Sequence, residues 1–120
     1  MESHPLLTNK TPVALALYHA VLKAFQAAGP VTVHPAKTMI GLGNGQRRIA
    51  YITQVGKNFV HVVFPFKRAY PDNLCFHKMG PVPGNAHQFN HHFRLYAIED
   101  LNEEVQGFIR LAYANEAEVE

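Results

Sequence analysis

Residues 88–96 read QFNHHFRLY. Taken in steps of two, Phe89, His91, Phe93 and Leu95 fall on one side, and Gln88, Asn90, His92, Arg94 and Tyr96 fall on the other. Such alternation belongs to a β-strand, whose successive side chains point to opposite faces of a sheet. One face of this strand is therefore largely apolar, and the other carries a row of hydrogen-bonding and basic groups. A sheet built around it has one face to bury and one to show. Glu99 and Asp100 follow directly and open the acidic end of the chain.

Upstream of this stretch, residues 31–87 are short β-rich runs separated by turns. Residues 31–34 form one run, ended by Pro35, and residues 37–42 lead into Gly43-Asn44-Gly45-Gln46. Asn-Gly is a strong hairpin signal, so residues 47–54 are the return strand. A second turn at 55–58 leads into FVHVVF at 59–64, and Pro65, which has no N–H for a ladder, is expected to end that strand. Residues 66–73 are a loop, residues 74–79 a further short strand, and residues 80–85 a connection on account of their Gly and Pro.

A helix precedes the β region and another follows it. Thr11-Pro12 is a start signal, with Thr11 as N-cap and Pro12 in the first helical position. Ala14, Leu17, Tyr18, Val21, Leu22, Phe25 and Ala28 then form one apolar stripe, and Gly29-Pro30 ends it. Over residues 100–115, Leu101, Val105, Phe108, Ala112 and Tyr113 share a face, with Asp100 or Asn102 as the cap and Gly107 as a weak point. The expected architecture is an α+β two-layer sandwich: an antiparallel sheet of about five strands flanked on one face by the N-terminal and C-terminal helices. Residues 12–116 form a single domain, and residues 1–11 are expected to be a flexible arm.

Composition narrows the function class. With 120 residues, 48% of them hydrophobic, the chain can build one core. Its first residues lack the basic and apolar pattern of a secretory signal, and no apolar run approaches the roughly 20 residues of a membrane helix. Cys75 is the only cysteine, which excludes an internal disulfide and makes a cytoplasmic setting the expectation. Residues 1–98 hold ten Lys or Arg against Glu2 and Asp72, whereas residues 99–120 hold seven acids against Arg110. An acidic helix could simply neutralise a basic body, or the basic body could meet an anion while the helix keeps the molecule in solution.

Several motifs invite specific chemistry. Gly41-x-Gly43-x-Gly45 lacks both the spacing of a dinucleotide loop and the Lys-Ser/Thr of a P-loop, so it reads as a hairpin turn. His77, His91 and His92 are metal ligands by type, but adjacent strand residues point apart, so His91 and His92 cannot serve one ion locally. Cys75 and His77 share a strand face without an orienting acid, a weak basis for a nucleophile. No cofactor motif and no complete catalytic set is present.

The basic and aromatic residues of the β region are the coherent signal. Lys37, Arg47, Arg48, His92 and Arg94, oriented by Gln88, Asn90 and Tyr96, are the expected ligand-binding residues. The expectation is a non-enzymatic binding domain whose basic sheet face takes an anionic ligand: a small metabolite, a nucleic acid segment or an acidic protein surface. The alternatives are a histidine-based metal-binding protein using His77, His91 and His92, and an interaction module that forms a homodimer through its open face. No membrane partner is expected.

Lys37-x-x-Ile40, Arg47-Arg48-x-Ala50 and His91-His92-x-Arg94-Leu95 ahead of Glu99-Asp100-Leu101 together resemble an uncharacterised bacterial domain family. The likeness continues through Glu104-Val105 to Leu111-Ala112-Tyr113, covering residues 14–116. That family is a domain of unknown function, often the C-terminal part of longer proteins and distantly similar to iron-chaperone-like domains. The resemblance implies a helix–sheet–helix fold in the bacterial cytoplasm, and no particular activity.

Overall fold

Helix α1 (Pro12–Gln26) begins where Thr11 caps it: the Thr11 Oγ1 accepts the Ala14 N–H at 3.0 Å. The same hydroxyl donates to the Lys57 carbonyl at 2.7 Å, which ties the helix start to a sheet turn. The computed structural model describes residues 4–68, 70, 76, 78–82 and 85–116, with residues 78, 81, 82 and 85–87 described by backbone alone. The strands are β1 (Thr32–Pro35), β2 (Ile40–Gly43), β3 (Arg48–Val55), β4 (Val60–Phe66), β5 (Lys78–Val82) and β6 (Asn85–Leu95). A 3₁₀ turn (Ile98–Asp100) and helix α2 (Glu103–Tyr113) follow.

The six strands form one antiparallel sheet in the order β1-β2-β3-β4-β6-β5. The first four are consecutive hairpins. The chain then passes to the outer edge as β5, and β6 returns between β5 and β4. The stretch at 88–96 thus lies mostly in an interior strand, paired with β4 as far as Leu95 and with β5 as far as His92.

Register decides the faces. Val60, Val62, Phe64 and Phe66 pair with Leu95, Phe93, His91 and Phe89, so these residues share one side of the sheet. Both helices cover that side. Ala14, Leu17, Tyr18, Val21 and Phe25 of α1 are buried, as are Val105, Ile109 and Ala112 of α2. The Phe25 ring lies 6.0 Å from Phe64, and Phe108 lies 5.8 Å from Phe66. This is the two-layer α+β sandwich expected from the hydrophobic periods.

The expected sheet of about five strands has six among the described residues, with residues 32–35 and 40–43 pairing as separate strands. Three local features depart from the expectation. The segment at 80–82 is strand, not connection: Pro81 pairs with Phe89 on the edge strand β5, where a missing N–H costs the ladder least. Pro65 does not end β4 but sits inside it opposite Asn90. Pairing with β3 stops at Tyr51–Val63, so on that side Pro65 occupies a local edge. Ahead of α1, in the segment expected as an arm, Leu7 is buried in the core and the His4 ring contacts the Ala36 carbonyl.

The helix ends follow capping chemistry. Asn102 is the N-cap of α2, its Oδ1 accepting the Val105 N–H at 3.0 Å. Asp100 has another duty, accepting the Tyr96 and Ala97 N–H groups at 2.8 and 3.1 Å. After α1, Gly29 adopts φ +154°, and an added Cβ would lie 2.4–2.8 Å from the Tyr113 ring, whose hydroxyl donates to the Pro30 carbonyl at 2.7 Å. Gly107 is different, since a Cβ there meets only the Arg110 guanidinium at 3.9 Å. Gly29→Ala is therefore expected to destabilise the fold by about 2–3 kcal/mol, and Gly107→Ala to stabilise it by about 0.5–1 kcal/mol. Urea unfolding of the two variants checks both signs.

Candidate functional site

The face opposite the helices is made by the other parity of each strand. His61 pairs with Arg94, Val63 with His92 and Pro65 with Asn90. Two bulges adjust which β3 residues join them. One, between Ile52 and Gln54, lets Thr53 and Gln54 both lie on the open side. The other, opposite Leu42 and Gly43, buries both Ile49 and Ala50 and sends Arg48 to the open face opposite Gly43.

Among the described residues, two depressions stand out on this face. The central one, about 520 Å³, is lined by Met39, Tyr51, Thr53, Val63, Pro65, Gln88, Asn90 and His92. It combines an apolar floor with amide, hydroxyl and imidazole groups, and none of its described lining residues is a carboxylate, lysine or arginine. The second, about 220 Å³, is lined by Thr32, His34, Gly45, Gln46, Arg47 and Arg48. Gly41 and Gly43 face the open side beneath it. A Cβ on Gly41 would come to 3.4 Å from the Arg48 side chain, and one on Gly43 to 2.6 Å from the Thr32 hydroxyl. The glycines at 41 and 43 thus make room for side chains lying flat on the sheet, while Gly45 takes φ +91° in the turn itself.

That turn is held from the helix layer. Asn44 Oδ1 accepts the Gln46 and Arg47 N–H groups at 2.9 and 3.1 Å, and its Nδ2 donates to the Tyr113 carbonyl at 2.7 Å and to Asn115 Oδ1 at 2.8 Å. Asn115 in turn donates to Gln46 Oε1 at 2.6 Å. Arg47 and Arg48 therefore leave a turn clamped at both ends, which limits where their guanidinium groups can sit.

The residues expected to bind a ligand separate into groups. Gln88, Asn90 and His92 line the central depression, and Arg47 and Arg48 line the second. Arg94 sits beside these, occupied by its neighbours: its guanidinium carbon lies 4.4 Å from the Phe59 ring centroid, its Nε donates to His61 Nδ1 at 3.0 Å, and its Nη1 reaches the Tyr96 hydroxyl at 3.4 Å. Tyr96 is exposed and packs on Phe59, with ring centroids 5.7 Å apart. Lys37 is exposed in the short β1–β2 connection and lines neither depression.

The histidines divide as the alternation required. His91 is fully buried on the helix side, its Nε2 accepting the Tyr70 N–H at 3.0 Å and its Nδ1 donating to the Phe89 carbonyl at 2.9 Å. Both nitrogens are committed, and burial pushes its pKa down. His92 lies on the opposite face, so a metal site cannot use both. His77 and the Cys75–His77 pair lie outside the described residues. Among the described residues, no group of three His, Cys, Asp or Glu could hold a metal ion.

Sequence reasoning missed Met39, Thr53, Val63, Pro65, Thr32, His34 and the role of His61. Thr53 reaches the open face through a bulge, and Pro65 was expected to end its strand. His61 was legible by alternation in FVHVVF at 59–64, where it takes the opposite side from Val60 and Val62. Among the described residues, no helix is long and apolar enough to cross a membrane. Comparison of the chain with protein-family models, curated proteins and solved structures finds no match. The resemblance to the bacterial domain family is neither strengthened nor weakened by this.

Proposed function

We propose that the chain is a non-enzymatic binding domain whose open sheet face takes a small anionic metabolite with a planar, hydrogen-bonding body. The observation that supports this is the contiguity of the two depressions. Tyr51 of the central depression pairs directly with Gly41, across which the Arg48 side chain lies. A ring seated among Tyr51, Asn90, Gln88 and His92 would hold an attached phosphate or carboxylate within reach of Arg48 and Arg47, two residues along the strands or about 7 Å away.

Size favours a single small ligand over a polymer. A volume of about 520 Å³ is within the range of small-molecule sites. A nucleic acid would need cations spread along the face, whereas Arg94 is already engaged with His61, Phe59 and Tyr96. Metal handling of the iron-chaperone kind would need hard oxygen donors, and Asp72 is the only acid between Glu2 and Glu99.

The test is an NMR titration with a nucleoside monophosphate, the matching nucleoside and inorganic phosphate. The monophosphate is expected to give saturable shifts at Tyr51, Asn90, His92 and Arg48, and to bind roughly tenfold tighter than either fragment. Absence of saturable shifts at these positions with any of the three probes would overturn the reading. So would binding only to an oligonucleotide, with shifts spread over the basic residues and lost steeply with salt.

A further inference from the structure

Three side chains on the open face form one hydrogen-bonded chain. Arg94 Nε donates to His61 Nδ1 at 3.0 Å, and His61 Nε2 lies 2.8 Å from His92 Nδ1. Arg94 crosses from β6 to the paired residue on β4, and the chain returns to β6 two residues back. His61, the middle member, is 8% exposed, and Arg94 and His92 on either side of it are half-buried.

Only one arrangement of protons satisfies it. The guanidinium has donors and no acceptor, so His61 Nδ1 must carry a lone pair. A neutral imidazole with an accepting Nδ1 has its proton on Nε2. That proton points at His92 Nδ1, which must therefore accept, leaving the His92 proton on Nε2. A second proton on either ring would set donor against donor at one of the two links. We propose that this Arg94–His61–His92 chain fixes His92 as an N–H donor at Nε2, so that whatever reaches this nitrogen must present an acceptor oxygen or ring nitrogen and a divalent metal ion is refused.

The sense of the chain matters. In hydrolytic triads a carboxylate behind the histidine makes its outer nitrogen a base. Here a cation stands in that position, and the outer nitrogen is a donor. Any group meeting His92 Nε2, whether from the protein or from a ligand, meets a hydrogen. A metal ion needs a lone pair, and the one that His92 carries, on Nδ1, is taken up by His61. His92 thereby becomes a specificity-determining residue, and Arg94 and His61 become positioning residues that act through it. This assignment rests on the central depression being the ligand site, but its first test does not.

The test is a long-range nitrogen–proton NMR correlation of histidine tautomers in the ligand-free protein, at about pH 8, where neutral imidazole dominates. His61 and His92 are expected as Nε2–H tautomers. His91 is expected as the opposite Nδ1–H tautomer, because its Nε2 accepts from Tyr70, which gives an internal control. An Nδ1–H tautomer or a mixture at His92 would overturn the assignment. Arg94→Met should convert His61 and His92 to tautomer mixtures and weaken binding of the monophosphate probe roughly tenfold. Unchanged tautomers in that variant would also overturn it. Stoichiometric zinc should leave the His92 signals of the native protein in place, and zinc-induced shifts at His61 and His92 would count against the proposal. If the native protein binds no probe at all, the binding reading fails while the tautomers still decide this one.

Discussion

Replacing His91 by leucine is expected to destabilise the protein by about 2–5 kcal/mol, as measured by urea unfolding near neutral pH. The side chain is similar in size and the site is apolar enough to take it: the Phe66, Tyr70 and Phe76 rings lie 5.2, 5.4 and 4.9 Å from the imidazole. What leucine cannot do is accept the Tyr70 N–H or donate to the Phe89 carbonyl. Each backbone group left buried without a partner costs about 1–3 kcal/mol. The loss extends further, because Tyr70 belongs to a loop that Glu116 also holds, accepting the Lys67 and Arg68 N–H groups at 2.6 and 3.3 Å. His91→Gln, which supplies both an acceptor and a donor, should recover a substantial part of the stability.

The same residue gives the protein a predictable acid response. Burial lowers the His91 pKa from the ordinary 6.5, a shift opposed only in part by hydrogen bonds to the Phe89 and Phe64 backbone and by the Glu116 charge. In the unfolded chain His91 takes up its proton near the ordinary value, whereas in the folded chain it does so only at lower pH. Between the two the unfolded state binds more protons, so stability rises with pH there. Native protein should therefore lose stability as pH falls from 6.5 towards the lowered value. The difference in stability between native protein and His91→Gln should shift in favour of the variant over the same window. Parallel curves for the two proteins would show that His91 is not the group responsible.

Phe66→Ala carries the second large expected effect, a loss of about 3–5 kcal/mol. Phe66 is 2% exposed, at the last position of β4, and among the described residues its ring contacts five others. Phe64 stacks on it at 5.2 Å, Phe108 of α2 lies at 5.8 Å, and Tyr70, Phe76 and His91 lie at 5.2, 6.5 and 5.2 Å. Alanine would leave a cavity that no single neighbour can fill, because those neighbours come from strands, helix and loop. Against a typical total stability of 5–15 kcal/mol, a variant this damaged should show a strongly lowered unfolding midpoint. Phe66→Leu should lose less than half as much, since it keeps most of the apolar volume. A loss below about 1 kcal/mol for the alanine variant would mean that this aromatic cluster is not part of the cooperative core.

Both effects concern one feature of the sheet: its two faces are separate chemical environments carried by the same strands. His91 and His92 are neighbours in sequence, yet one is sealed among aromatic rings and the other lines an open depression. That separation was legible in QFNHHFRLY, because a strand's side-chain period of two is a property of local backbone geometry. The helices were legible for the same kind of reason. Thr11 and Pro12 cap and start α1, and the spacing of Leu17, Val21 and Phe25 puts them on one side of it.

The tertiary structure alone decided what depends on pairing between distant segments. Nothing in residues 74–95 says that β6 folds back between β4 and β5, because strand order is set by total burial and loop reach rather than by local period. The bulges that move Thr53 and Arg48 to the open face are one-residue slips between partners, invisible until the partners are known. Arg94 reads in the sequence as one more cation available to an anion. Its cross-strand pairing with His61 instead places it at the head of a hydrogen-bonded chain ending at His92. The sequence thus determined which residues face which way, and the fold determined which of them meet, since facing is local geometry and meeting requires a register.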